Sequence, residues 1–412
     1  MAVAVLEEDL AAVVRGIRQP GCWRDPYPYY HRLRERAPLL RTADGKLVVT
    51  SHRLCRAILR DPTWEHFPEL LCMSSQIFES SSSTAAPHAP IRPEILDAIP
   101  ERDNLRRRLA REFRPSVVRP LVPNIQSIVD PLVDEILDAG AVDLIDALVI
   151  PFTSTVMGES FGVPPMDRHL FRKWSSTLRG AAEATFVPAG AKATDADVVG
   201  TSHEIAEYMG GLLKQRRRAP QDDVLSALLT APSDGRQWSD EEIVSTIVSI
   251  IVVGHHTTTA SVGNGVRALL ENPGQFAVLR DHPEIVDRAV EELIRFDAPA
   301  QFISRFALEE TGLDDHRVAP GGIALLLIGA ANRDPDAFVA PDRLDLSRTP
   351  NDHLGFSTGH AACFGAPLAQ AAGRAILATL ARRTPGLALD GDPVQFDTIG
   401  LRGIDVLPVR TR

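Results

Sequence analysis

The stretch Phe356-Ser357-Thr358-Gly359-His360-Ala361-Ala362-Cys363-Phe364-Gly365 presents one cysteine within a run of small residues. Ala366 to Arg383, rich in Ala, Leu and Arg, follows it and predicts a helix. Cys363 then sits just ahead of a first helical turn, where unpaired N–H groups and the positive end of the helix dipole favour thiolate over thiol. A thiolate held there is a good metal ligand. Gly359 and Gly365 permit a tight chain path, so that the loop can lie against a flat cofactor. The plainer alternative is an inert buried cysteine ahead of an Ala-rich helix.

A second stretch with chemical potential is Val253-Gly254-His255-His256-Thr257-Thr258-Thr259. Glycine and three threonines are poor helix formers, and threonine hydroxyls can bond the carbonyl one turn back and open the ladder. A distorted helix lined with hydroxyls suits a small polar ligand such as dioxygen. Adjacent histidines suggest a metal pair, but successive helical residues point about 100° apart, which favours packed or solvent-linked histidines. Arg102 and Arg106 stand one turn apart in a basic, proline-started helical segment and can face a single anion; a solvated basic face is the alternative.

These residues need elements to position them. Ser239-Asp240-Glu241-Glu242 reads as a capping box that starts a helix running to Glu271, stopped by Asn272-Pro273. Such a helix is roughly 50 Å long, enough to cross a domain with Gly254 to Thr257 near its middle. Glu292 and Arg295, three apart, share one helix face. Tyr27 to Asp61 predicts helix, a hairpin turning at Asp44-Gly45, and a second helix ending before Pro62. Residues 65–99 lack periodicity and read as a long loop, and residues 116–231 alternate amphipathic helices with breaks. Phe302 to Leu308 is strand-like, and Leu387 to Val409 predicts a terminal β hairpin.

Composition narrows the classes. A 412-residue chain without a low-complexity linker is consistent with one large domain, and its net charge of −10 disfavours nucleic acid as a partner. The four cysteines, Cys22, Cys55, Cys72 and Cys363, lack the spacing of a zinc site or a disulfide framework, which points to a cytoplasmic protein. The N-terminus lacks a basic n-region, and the apolar run Ile247 to Val253 is too short to span a bilayer, so no membrane anchor is expected.

The cysteine loop resembles the ligand signature of the cytochrome P-450 family, F-G-x-G-x-H-x-C-x-G-x-x-L-A. Phe356, Gly359, Cys363, Gly365, Leu368 and Ala369 match, while Ser357 replaces the first glycine and Ala361 the histidine. Gly254 and Thr257 match the family's [AG]-G-x-[DE]-T-[TS], with His256 at the acid position. Glu292 and Arg295 match its E-x-x-R, for which Arg343 is the meander candidate, and Ala331-Asn332-Arg333-Asp334-Pro335 follows in order. The resemblance covers nearly the whole chain from Tyr27 onward.

It implies a mainly α fold with small β sheets, and a haem b (iron protoporphyrin IX) buried between the long central helix (239–271) and the cysteine loop (353–365). It further implies an N-terminal extension (1–25) and two variable substrate-access regions (65–99 and 166–217). Cys363 would be the metal ligand; Arg106, Arg305, and Arg102 in place of a histidine would meet haem propionates, with His360 standing in for the histidine lost at Ala361. Gly254 and Thr257 would border dioxygen, and His256 would take over the acid's proton relay. The implied function is a monooxygenase that oxidises, most often hydroxylates, a small organic substrate of secondary metabolism, with ferredoxin and ferredoxin reductase as electron donors. Because His256 replaces the acid, peroxide-driven oxidation, oxidative coupling, cyclisation or desaturation is the alternative; a non-catalytic haem-binding partner protein is the third reading.

Overall fold

The computed structural model describes residues 4–6, 8, 10–17, 24–66, 106–171, 173, 174, 177, 196–230, 238–314, 316–398 and 400–411. Arg102, and residues 67–99 of the first variable region, lie outside the described residues. Helices dominate: α1 (Leu10–Ile17), α2 (Tyr27–Arg36), α3 (His52–Arg60), α4 (Val122–Ala139), α5 (Ile150–Ser160), α6 (Ala196–Arg218), α7 (Asp240–Glu271), α8 (Val286–Phe296) and α9 (Ala366–Arg383).

The expected capping box starts α7. The Ser239 hydroxyl accepts the Glu242 N–H at 3.1 Å, and the Glu242 carboxylate accepts the Ser239 N–H at 2.7 Å. Two orphan donors are thereby satisfied at the end of a helix that carries no further help from local propensity at its centre. α7 is long and apolar enough to cross a membrane by composition, yet 56% of its most apolar window is buried within the protein, as in a core helix.

A six-stranded sheet has the order β1 (Ala4–Val5), β2 (Leu39–Arg41), β3 (Leu47–Val49), β9 (Ile323–Leu326), β6 (Ile303–Ala307), β4 (Trp64–His66); outside it lie β5 (Ala141–Asp143) and the paired strands β7 (Thr311–Leu313) and β8 (His316–Val318). The hairpin between β2 and β3 turns at Gly45, whose φ of 79° favours a residue without Cβ. Period-two alternation splits this sheet's side chains between two cores. Leu40, Val48 and Leu325 join Tyr30 and Leu33 of α2 on one face; Leu39, Leu47, Val49 and Leu326 join Leu54 and Ile58 of α3 on the other. The largest core gathers α4 to α9 around α7.

Three sequence expectations are corrected here. Glu65 and His66, read as the start of a loop, are strand residues paired with Phe306 and Arg305 of β6. The C-terminal region is more than one hairpin. A two-stranded pair of Val394–Gln395 with Ile404–Val406 stands beside a three-stranded sheet in which Pro408–Arg410 pairs with both Ala388–Leu389 and Ala141–Asp143. The threonine-rich centre of α7 stays helical throughout: Thr257 Oγ1 does bond the Val253 carbonyl at 2.8 Å, without interrupting the helix.

Candidate active site

The cysteine loop closes on itself before α9 begins. The Cys363 N–H donates to the Phe356 carbonyl at 2.8 Å, and the Ser357 N–H donates to the Leu354 carbonyl at 2.8 Å. Gly359 has φ of 75°, and a Cβ there would lie 2.5 Å from the Leu59 carbonyl oxygen, so only glycine lets the loop rest on the end of α3. Ser357 also adopts a left-handed conformation, φ 60°, and its buried Oγ has no hydrogen-bond partner. The family pattern's glycine at this position therefore has a physical reason, which this chain violates.

Cys363 is accessible, yet burial by surrounding protein is the largest influence on its thiol, so it opens into a recess rather than into bulk solvent. Burial pushes the thiol up; the N–H groups of Gly365 and Ala366 and the charge of Arg106 pull the other way without overcoming it. The helix start alone does not make a free thiolate, contrary to the expectation from sequence. The donor set, a recessed sulfur with two amide donors and a cation beside it, fits a thiolate whose charge is completed by a metal. Arg106, on the helical segment 106–112, donates to the Ala362 carbonyl and lies with its guanidinium 5.5 Å from the centroid of the Phe364 ring.

Behind the loop, Glu292 and Arg295 form a fully buried bidentate pair, with Nε–Oε2 2.7 Å and Nη2–Oε1 2.9 Å. Arg295 continues to the carbonyls of Asn332 and Pro341, both at 2.8 Å, and the Asn332 side chain accepts the Leu354 N–H at 2.7 Å. The network thus fixes the entry to the cysteine loop two residues before Phe356. Arg343 does not supply the second guanidinium. Its side chain is exposed and only its carbonyl takes part, whereas Arg348 bonds both Glu292 oxygens. No spacing signal in the sequence distinguishes Arg348 from its neighbours.

On α7, Val253, Gly254, Thr257 and Thr258 belong to a half-buried strip that runs along one face of the helix from Ser245 and Thr246 through Ser249 and Ile250 to Ser261, so this face is less closely packed than the one opposite. A Cβ on Gly254 would come within 3.3 Å of Met157 Cε. His255 and His256 occupy the buried side instead. His255 Nε2 sits 3.0 Å from Ser154 Oγ and 3.3 Å from Thr153 Oγ1 of α5, and Thr153 Oγ1 lies 3.1 Å from Thr259 Oγ1. Burial, aided by His256, depresses the His255 pKa to about 3, which keeps it neutral. His256 Nδ1 lies 2.6 Å from the Val252 carbonyl and must donate to it. Arg305 on β6 is fully buried and donates to the Ser304 carbonyl at 2.9 Å, while His360 is exposed on the short turn Gly359–Ala361. The structure therefore joins Cys363, Phe356, Gly365 and Arg106 in one constellation, and Gly254 and Thr257 in another. It sets His256 apart from the second.

A family model described as "Cytochrome P450" matches residues 195–383. The chain is 35% identical over 400 residues to cytochrome P450 monooxygenase PikC of Streptomyces venezuelae, covering 94% of this chain and 91% of that one. It is also 35% identical over 378 residues to nocardicin C N-oxygenase of Nocardia uniformis subsp. tsuyamanensis, covering 90% of this chain and 91% of the relative. The crystal structure of Mycobacterium smegmatis CYP164A2 superimposes with a TM-score of 0.83 at 31% identity, over 97% of this chain and 99% of that one. With a recessed cysteine ahead of α9, a buried E-x-x-R network behind it and this likeness along almost its full length, the chain belongs to the cytochrome P450 family, haem b monooxygenases.

Proposed function

We propose that the protein hydroxylates a small organic substrate of secondary metabolism, in the cytoplasm, with electrons from a ferredoxin and its reductase. The observation that carries this reading is the Cys363 thiol, recessed, supported by the Gly365 and Ala366 amides, and adjacent to Arg106. Bound haem supplies the iron and its capacity to activate dioxygen. Cys363 holds it, and the amide donors and Arg106 stabilise negative charge on the sulfur. Arg106 and Arg305, with Arg102, are read as propionate partners. Thr257, tied to the Val253 carbonyl, carries its hydroxyl oxygen on the half-buried strip of α7 beside Gly254, where it can accept and return a proton. Residues 65–99 and 166–217 are assigned to substrate choice within one domain.

Reduced protein under carbon monoxide should show the red-shifted Soret band of thiolate ligation, and Cys363→Ala should abolish it; a band that survives the substitution ends the assignment. A ligand screen that follows the low- to high-spin shift then identifies substrates for turnover.

One observation favours the peroxide-driven alternative: no carboxylate stands in sequence beside Thr257, and His256 faces the buried side of α7. Peroxide arrives with its own protons and makes that lack immaterial. Product yields with hydrogen peroxide and with the ferredoxin system, compared on one identified substrate, separate the two readings.

A further inference from the structure

Glu291 stands one residue before the glutamate of the E-x-x-R pair, at the edge of a cleft of about 200 Å³ lined by Asp287, Arg288, Val290, Gln370 and Arg374 as well as itself. Its two carboxylate oxygens are divided between two elements. Oε2 lies 2.8 Å from His353 Nε2, and Oε1 accepts from Gln370 Nε2 at 2.7 Å. His353 belongs to the segment that enters the cysteine loop; Gln370 belongs to the start of α9, which leaves it. His353 Nδ1 accepts the Gly355 N–H at 3.1 Å, so the ring carries its proton on Nε2 and donates it to Glu291. The His353 ring also packs at 5.9 Å on Phe356, whose carbonyl receives the Cys363 N–H.

We infer that Glu291, through His353 and Gln370, is a positioning residue that clasps the two ends of the cysteine loop and thereby sets where the Cys363 sulfur stands. The inference rests on Cys363 being the iron ligand. Geometry rather than gross stability is the purpose of the clasp. The Glu291 side chain is 33% exposed at the cleft, and partly solvated pairs of this kind add little to folding. A loop whose base is open, in contrast, gains freedom at the far end, where a displacement on the order of 1 Å alters ligation. Burial raises the Glu291 carboxyl, but His353, Gln370 and Arg374 outweigh it and hold the group ionised, as a double acceptor must be.

The test uses the haem-loaded enzyme and three breaking variants, Glu291→Ala, His353→Phe and Gln370→Ala, beside the conservative Glu291→Gln. Glu291→Gln can still accept from His353 through its oxygen and donate to the Gln370 oxygen after both amides turn. Backbone amide exchange across residues 355–363 should rise about tenfold in Glu291→Ala and His353→Phe. The carbon monoxide complex should lose its thiolate-type Soret band several-fold faster. Glu291→Gln should stay near wild type, and Glu291→Ala/His353→Phe should be no worse than Glu291→Ala alone. A lowered melting temperature with unchanged loop exchange and an unchanged Soret band would overturn the clasp and leave only a helix contact. If a breaking variant fails to fold, Gln370→Ala, which opens only the exit side, decides by the same two readouts. Cys363→Ala serves as the separate control: it removes the thiolate band if Cys363 is the ligand, while loop exchange reports on the clasp whichever residue binds iron.

Discussion

Arg348 Nε lies 3.1 and 3.0 Å from the two carboxylate oxygens of Glu292, so a single buried carboxylate serves Arg295 and Arg348 together. The Asp345 N–H and the Asn351 amide add further bonds to the same group. Removing the carboxylate with Glu292→Ala leaves the fully buried Arg295 guanidinium without its counter-charge and deprives the partly buried Arg348 of its own, a cost of about 3–5 kcal/mol. Arg348→Leu should cost less, about 1.5–2 kcal/mol, because Glu292 keeps Arg295 and loses only its charged hydrogen bonds to Arg348, and Arg343→Ala, which spares the contributing carbonyl, should cost less than about 0.5 kcal/mol. Denaturant unfolding gives these values. Haem content should drop with Arg348→Leu and hold with Arg343→Ala.

Ser357 offers the opposite sign. Its left-handed backbone and unpartnered Oγ both disfavour serine, and glycine relieves both. Ser357→Gly should stabilise the protein by about 1 kcal/mol, a rise of roughly 1 °C in melting temperature for a chain of this size. Gly359→Ala should do the reverse, because the added methyl meets the Leu59 carbonyl oxygen at 2.5 Å and the φ of 75° is unfavourable for alanine. An unchanged melting temperature in Ser357→Gly would show that the loop relaxes around serine at no cost.

Much of this site was legible in the sequence because its carriers are local. A capping box and a run of strong helix formers mark α7 and α9 from local sequence, and spacing places Glu292 and Arg295 on one helix face, while their buried pairing is what the family resemblance implies. What depends on distant packing was not legible. Arg348 instead of Arg343 is selected by how the meander folds back on α8. The strand pairing of Glu65 and His66 depends on β6, more than two hundred residues away, and no local period announces it. The thiol's environment is hidden for a related reason: the helix start speaks for thiolate in any sequence, but desolvation depends on what the fold places around the sulfur.

His255 gives the stability an acid-sensitive component. Burial lowers its pKa from the ordinary 6.5 to about 3 in the folded protein, so between those values the unfolded chain binds more protons. Its contribution is therefore complete above pH 6.5 and is lost as pH falls toward 3, at most about 1.4 kcal/mol per unit. By pH 5 the loss is on the order of 2 kcal/mol. His255→Gln should be less stable than wild type at pH 7, and the gap should narrow by pH 5 in urea unfolding. A gap that is constant with pH would mean that this histidine is not the group responsible.

Electron delivery can be tested at the basic segment that meets the loop. Arg107, Arg111 and Arg114 are exposed along or just beyond the helical stretch 106–112, on a chain of net charge −10. Such local positive charge steers an acidic partner when the rest of the surface repels it. The rate of reduction by ferredoxin should fall with ionic strength, and Arg111→Glu should lower it severalfold at low salt while the spectrum and melting temperature hold. Equal rates for both proteins at every salt concentration would place the docking surface elsewhere.

His256 tests how far a sequence position implies a role. A relay needs one ring nitrogen toward the proton source and the other toward the sink, and Nδ1 is committed to the Val252 carbonyl at 2.6 Å. A main-chain carbonyl does not pass a proton onward, and the ring lies on the buried side of α7, apart from the strip that carries Thr257. His256→Ala should accordingly leave unchanged both the share of electrons lost to peroxide and the solvent isotope effect on product formation. It should lower stability by about 2 kcal/mol, from the void and the lost hydrogen bond. Thr257→Ala should raise the peroxide share with little change in stability. If His256→Ala uncouples turnover as strongly as Thr257→Ala, and His256→Glu restores it, the ring turns during catalysis and the relay expected from the sequence is real.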